Sequence, residues 1–477
     1  MEKVNQTRLS ELAMLLLPVY LLMWKYLVVS NNSMNFNIKK IFNQICDSLF
    51  SQLLKNESLA ISLEGESSLF CRVNGAKIRQ IGQVDNNDLS LELSFNNRRV
   101  TGSLSLCGDF DIDFKRAVSE FSRLRNEVKL LPIDPFIVLP VGGQSSETIC
   151  QGEFINPDQT AKMLMQPMQG CDLSGILASG VIYRGNANSA GSQHWFSSDS
   201  FSFDYSLINH QERMVKATYA GSSWSQTDYQ KSLASSIEKL KVMGQSAIKL
   251  TPGNYRTFIA SAGVSDLLDM FSWHGLSELS MQTGESAFLK MRNEGIKLSP
   301  MFTFAEDFRN GLVPRFNKLG EVSDEHIELI THGELKSCLI SSRTAKEYSL
   351  QSNFANKGEE LRSPVMACGD LPESEVLQAL GTGVYISNLH YLNWSDLAGG
   401  RITGMTRYAC FWVEDGVIRA PIENMRFDDS FYHFFGDNLQ AVTRESYINP
   451  DVGSYGGRAL GMMQCPGILL SSFTLTL

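Results

Sequence analysis

The segment LSLELSFNNRRVTGSLSL, residues 89–106, allows few conformations. Leu89, Leu91, Leu93 and Phe95 alternate with polar residues, Asn96-Asn97 supplies a two-residue turn, and Val100, Leu104 and Leu106 resume the alternation. Period-2 alternation around an Asn-rich pair predicts a β-hairpin with one buried face. A second such signal lies in YACFWVEDGVIRAPI, where Asp415-Gly416 separates two β-prone runs. Both stretches therefore predict hairpins.

Ile38, Ile41, Phe42, Ile45, Leu49 and Leu53 recur at helical spacing and predict an amphipathic helix over 36–55. Phe114, Val118, Phe121, Leu124, Val128 and Leu131 predict a second helix, closed by Pro132 and Pro135. Helix, strands and helix make residues 34–135 an N-terminal α/β domain, with VLPVGGQSS as the linker after it. Residues 136–245 are richer in Gly, Ser and Asn. They read as a middle segment with short β runs at Gly180–Arg184 and Phe201–Leu207 and a closing helix Tyr229–Met243. Residues 246–477 begin with the strand-like NYRTFIAS and an apolar helix, then continue as a strand-rich tail, giving an α+β chain with a β-rich C-terminal domain.

With 477 residues and 43% apolar content, the chain has material for two or three domains. A net charge of −9 without clustered Lys or Arg excludes a nucleic-acid footprint. The nine cysteines form no CxxC pair, which argues against a disulfide framework or zinc ribbon and favours a reducing, cytoplasmic setting. Residues 1–33 stand apart. Leu12–Trp24 is wholly apolar and Tyr26–Val29 extends the run, yet Pro18 and Lys25 interrupt it. The extension reads as a mis-assigned start before Met34, as a membrane anchor through residues 12–29, or as a cleaved signal.

No Walker loop, GxSxG elbow or strand-following GxGxxG occurs. His326 and His332, six apart in SDEHIELITHGE, share a face of a strand and read as a solvated edge; His210 in NHQERMVK reads as part of a charged turn. NWSDLAGGRITGMTR, 393–407, gathers Trp394, Asp396, Arg401, Thr403, Thr406 and Arg407 around glycines. It reads as a loop stapled by Asp–Arg pairing, or as one whose Arg401 and Arg407 bind a carboxylate or peptide backbone. The stretch LLDMFSWHGLSE, 267–278, sets His274 in an apolar run five residues after Asp269.

GTGVYISNL (381–389), GGRITG (399–404), CFWVEDGVIRAPIENM (410–425), HGELKSCLISSRTA (332–345) and QCPGILLSSFTL (464–475) together resemble the C-terminal signature of the TldD/PmbA family, and the Phe-Trp-Val-Glu-x-Gly core is closer to its PmbA (TldE-type) branch. The resemblance implies an N-terminal α/β domain, a β-rich C-terminal domain and association as dimers. It also implies a metallopeptidase system in which the TldD-type subunit carries Leu-Leu-His-Glu-x-x-x-His on a helix, with a distant cysteine completing the metal site.

Laid on this sequence, that pattern makes the first histidine Asp269, the general-base glutamate Met270 and the second histidine His274, while the cysteine position, counted back from Pro466, is Val452. A thioether cannot take a proton and valine cannot bind a metal, so Asp269 and His274 alone leave too few ligands for zinc. Five residues apart on a regular helix, they also point about 140° from each other. No cofactor is expected unless other residues, such as His210 or His332, complete a zinc site. The resemblance thus implies a PmbA-like partner subunit for processing unfolded or short peptides, as a homodimer or as a heterodimer with a TldD-type subunit. The alternatives are a divergent metallopeptidase and a non-enzymatic membrane-associated scaffold.

Overall fold

The structure, a computed structural model, describes residues 37–155 and 157–477. The apolar extension, residues 1–33 with its segment 12–29, lies outside the described residues. Among those described, no helix is long and apolar enough to cross a membrane.

The first helix, α1 (37–50), buries Ile38, Ile41, Phe42, Ile45 and Leu49. It is shorter than the 36–55 expected. The chain turns after residue 50, Leu54 N donates to Glu57 Oε2 at 2.8 Å, and Asn56 takes a left-handed φ of 69° that swings the backbone into β1 (Glu57–Val73). Next come β2 (Ile78–Phe95), β3 (Arg98–Ser105) and α2 (Phe110–Glu127). Phe95 pairs with Arg98, and Asn96 and Asn97 have φ of 47° and 56°, the left-handed pair that a tight hairpin requires. The start of α2 is capped by Asp109, whose Oδ1 accepts from Ile112 N at 3.1 Å.

The sheet continues through β4 (Ser145–Cys150), α3 (Pro157–Met165), β5 (Asp172–Asn188), β6 (Gln193–Ile208), β7 (Met214–Gly221) and α4 (Gln226–Met243). Its order is β3-β2-β1-β5-β6-β4, with β7 on β6. The division expected at residues 135/136 falls inside this one sheet, because β1 and β5 pair antiparallel from Ala60↔Asn188 to Val73↔Gly175. Residues of odd number on β1, β5 and β6, such as Leu59, Ile61 and Leu63 with Leu177, Tyr183 and Phe203, face the helices and form two adjoining apolar clusters. Alternation puts Ser62, Glu66, Asn186, Asn188 and His194 on the opposite face. These polar residues are nevertheless buried, because the C-terminal half of the chain covers them.

That half opens with β8 (Gly253–Ile259), α5 (Ser261–Asp269), α6 (Glu278–Thr283) and α7 (Leu289–Glu294). It continues with β9 (Phe304–Asp307), β10 (His326–Thr331), β11 (Glu334–Leu335), α8 (Ser342–Tyr348), β12 (Pro364–Met366), α9 (Val376–Leu380) and β13 (Gly383–Ile386). The last strands are β14 (Asn388–Asp396), β15 (Arg401–Arg407), β16 (Phe411–Glu414), β17 (Val417–Pro421), β18 (Arg426–Ser430), β19 (Leu439–Pro450) and β20 (Met462–Leu475). They form a second sheet, β11-β10-β9-β12-β20-β8-β13-β16-β17, with β14, β15 and β18 as a side branch and β19 along β20. Asp415 (φ 51°) and Gly416 (φ 74°) close the β16–β17 hairpin as expected.

The core of this half is rich in phenylalanine: the Phe271 ring lies 4.7 Å from Phe288 and 5.4 Å from Phe431, centroid to centroid. One buried carboxylate, Glu359, serves two helix starts. Its Oε2 accepts from Ser277 Oγ at 2.7 Å and Leu279 N at 2.8 Å beside α6, and its Oε1 accepts from Ser341 N at 2.8 Å beside α8.

Candidate functional site

The stretch aligned with the metallopeptidase helix begins in α5, which buries Val264, Leu267 and Leu268. Its sequence reads as one helix, but the α-helix stops at Asp269. A single 3-10 turn, Met270–Ser272, follows, and His274 takes a left-handed φ of 53°. The reversal needs Gly275, where a Cβ would sit 2.3 Å from the Phe271 carbonyl oxygen. Leu276 N then donates to that oxygen at 3.0 Å. His274 is thus exposed in a turn beyond the helix, and Met270, 4% exposed, is part of the core.

Around Asp269 the structure gathers carboxylates. Partial desolvation, and then the nearby charge of Asp451, raise the Asp269 pKa. One turn earlier, Asp266 is pushed up to about 7 by desolvation, although its Oδ2 accepts from Leu389 N at 3.0 Å; Lys216 opposes the shift and Asp269 adds to it. Behind α5, Cys465 is fully buried, with Sγ 3.3 Å from the Ser261 carbonyl oxygen and 3.6 Å from Asn449 Nδ2; burial pushes its thiol up to about 12. Sequence reasoning did not single out Asp266, Asp451 or Cys465, because nothing local links three positions so far apart in the chain.

Val452 follows Asp451 in the segment 451–461, which roofs a cavity of about 570 Å³. The floor of that cavity is the first sheet, with Ser198, Ser200 and Ser202 of β6 among its lining. Arg458 pins roof to floor. Its guanidinium donates to the Gly180 carbonyl oxygen at 3.2 Å and to Ser200 Oγ at 2.9 Å, and its backbone amide donates to Glu66 Oε1 at 2.9 Å. Burial lowers the Arg458 pKa to about 10, against the opposing charge of Glu66.

The residues present do not fit the zinc ion that the metallopeptidase pattern implies. Zinc in a hydrolytic site takes three protein ligands and a water, with a carboxylate at hand to accept the water's proton. Here the second histidine has left the helix, the cysteine position carries an alkyl side chain, and the general-base position is a buried thioether. Among the described residues no group of three His, Cys, Asp or Glu side chains is arranged to hold a metal ion.

The other expected site residues lie elsewhere. The 393–407 stretch is not a loop but the bulged β14–β15 hairpin: its glycines lie at the turn and on the packed face, and the flanking residues pair across the strands. Arg401 donates through Nε to Asp428 Oδ1 at 2.9 Å, while Arg407 lies over the Tyr408 ring at 5.5 Å. Six residues apart on one strand, the two arginines share a face but stand roughly 20 Å from each other, too far to clamp one carboxylate. His326 opens β10 and lies 3.3 Å from Asp307 Oδ2. His332 sits in the following turn with Nδ1 3.2 Å from the Pro300 carbonyl oxygen, and His210 lies in the β6–β7 turn.

Two sheets, one backed by helices on a single face and the other wrapped around a phenylalanine core, meet across this cleft. The chain is thus an α+β protein with a β-rich C-terminal half. Residues 252–477 match the family described as the PmbA/TldA metallopeptidase C-terminal domain. Three solved structures share the fold over nearly the whole chain. TldE from Thermococcus kodakarensis superposes with a TM-score of 0.72 at 12% identity, covering 92% of this chain and 100% of that one. A Bacteroides thetaiotaomicron protein described as a candidate modulator of DNA gyrase gives 0.72 at 17% identity, covering 92% and 98%. A Thermotoga maritima protein with the same description gives 0.69 at 14% identity, covering 91% and 100%. No curated protein matches the sequence. The C-terminal domain of this chain belongs to the TldD/PmbA family.

Proposed function

We propose that this chain is a PmbA-like subunit of a peptide-processing metallopeptidase system, and that it holds no catalytic metal of its own. The observation that carries this reading is the end of α5: the helix stops at Asp269, Met270 is packed into the core where the general base would stand, and His274 is set off on the surface. The cleft roofed by residues 451–461 is the natural place for an extended peptide, since its sheet floor sets the hydroxyls of Ser198, Ser200 and Ser202 among apolar side chains such as Phe70 and Ile176, offering hydrogen bonds and apolar contact together. Hydrolysis would then take place on a TldD-type partner, in a heterodimer or in a complex with a homodimer of this chain, in the cytoplasm.

The test measures bound metal and cleavage of unfolded or short peptides by the purified chain, alone and mixed with a TldD-type companion from the same genome. The proposal expects no stoichiometric zinc and no cleavage alone, and a rise in the companion's activity on mixing. Zinc at one per chain with cleavage by the chain alone would overturn it.

A further inference from the structure

His194 is 1% exposed, yet the cleft does not use it. It lies on β6 directly opposite Ser146 of β4, so both side chains leave the same face of the sheet. Ser146 Oγ is 2.8 Å from His194 Nδ1, and His194 Nε2 is 3.1 Å from the Gly320 carbonyl oxygen. A carbonyl oxygen only accepts, so Nε2 carries the hydrogen; burial lowers the imidazole pKa and keeps the ring neutral. Nδ1 is therefore a lone pair, and the Ser146 hydroxyl donates to it.

The ring is held firmly in that orientation. It stacks on Phe316, centroids 5.1 Å apart. The Gly320 carbonyl belongs to a segment gripped by neighbours of His194: Asn186 Nδ2 donates to the Lys318 carbonyl oxygen at 2.7 Å, and Asn188 Nδ2 to that of Leu319 at 3.1 Å. At Gly320 itself (φ 80°) a Cβ would meet Asn186 Oδ1 at 2.6 Å, so the approach depends on glycine. Serine, base and orienting acceptor thus stand in the order of a hydrolytic triad, with a backbone carbonyl in the third place. Unlike its base, the nucleophile is accessible: Ser146 is exposed, and β4 is the outermost strand, so alternate backbone amides along its free edge are open to an oxyanion.

We propose that Ser146 and His194 form a second, metal-independent site that accepts an acyl group from a small activated carboxylic ester. Ser146 Oγ bonds to the ester carbonyl carbon while its proton passes to His194 Nδ1. The bond from that carbon to the leaving oxygen then breaks, and the leaving alkoxide takes the proton back from His194. Water, deprotonated by the same nitrogen, hydrolyses the acyl-serine and returns the free acid and the hydroxyl.

The test treats the full chain with p-nitrophenyl acetate and, separately, with a fluorophosphonate probe, and maps the adduct by peptide mass spectrometry. Ser146 is expected to carry it in the folded chain and not in urea. His194→Asn should slow its formation by about 100-fold, with the circular dichroism spectrum retained. Ser146→Ala should abolish it. Should His194→Asn fail to fold, the comparison of folded and urea-treated chain still decides the matter. An unmodified Ser146 in the folded chain, or a Ser146 that reacts equally fast in urea or without His194, would overturn the proposal.

Discussion

The backbone amide of Arg458 donates to Glu66 Oε1 at 2.9 Å, joining the segment that roofs the cleft to the sheet that floors it. The same arginine sends its guanidinium to Gly180 and Ser200, and Glu66 is 3% exposed. Arg458→Ala would leave Glu66 buried without the Arg458 charge beside it, and the Gly180 and Ser200 carbonyl oxygens and the Ser68 and Ser200 hydroxyls without their donor. A loss of about 3 kcal/mol in urea unfolding is expected. A loss below about 0.5 kcal/mol, the range of ordinary surface changes, would show that the contact does not hold the two halves together.

The carboxyl of Asp266 sets a direction for pH dependence. Its folded pKa is raised to about 7, well above that of a carboxyl in the unfolded chain, so between roughly pH 4 and pH 7 the folded state binds the extra proton. Stability is therefore expected to fall as pH rises through this window, by an amount on the order of a few kcal/mol from this group. Asp266→Asn keeps an acceptor for Leu389 N and removes the titration. Melting temperatures measured from pH 5 to pH 7.5 should decline in the parent chain and stay flatter in the variant, which should be the more stable of the two at pH 7.5.

Glu359 supports the starts of α6 and α8 at once. Glu359→Ala strands two backbone amides, one of them buried, and the Ser277 hydroxyl, with an expected cost of about 3 kcal/mol. Glu359→Gln retains the acceptor on one oxygen only, so denaturant unfolding should place it between the parent and the alanine variant.

Met270→Glu restores the general-base side chain in name only. The position is buried among apolar residues, so the new carboxylate is expected to cost about 2–4 kcal/mol and to leave peptide cleavage undetectable. Chemical denaturation together with a peptidase assay checks both parts.

What was legible in the sequence was what depends on neighbours along the chain. Asn96-Asn97 and Asp415-Gly416 declared their hairpins because left-handed turn residues are a local requirement, and α1 and α2 declared themselves by the spacing of their buried positions. The joining of β1 to β5 was not legible, since their partners are more than a hundred residues apart. The polar composition of β5 and β6 then suggested a separate segment, whereas it reflects a face whose Asn186, Asn188 and His194 are satisfied by carbonyls of residues 318–320. Leu267–Glu278 read as one helix because its apolar residues keep the period. The stop after Asp269 comes from the close packing of Gly275 on Phe271, which only the fold brings about. The same tertiary pairing turned residues 393–407 from an apparent binding loop into a hairpin, and placed Asp451 beside Asp269.

As proposed above, this chain would contribute structure and peptide binding, but no catalytic metal, to a peptide-processing system. The most direct test is the zinc content of the purified full chain, after equilibration with excess zinc and removal of the unbound metal, measured together with peptide cleavage. Well under one zinc per chain and no cleavage are expected. One zinc per chain, lost together with cleavage in His274→Ala while the fold is retained, would contradict the proposal.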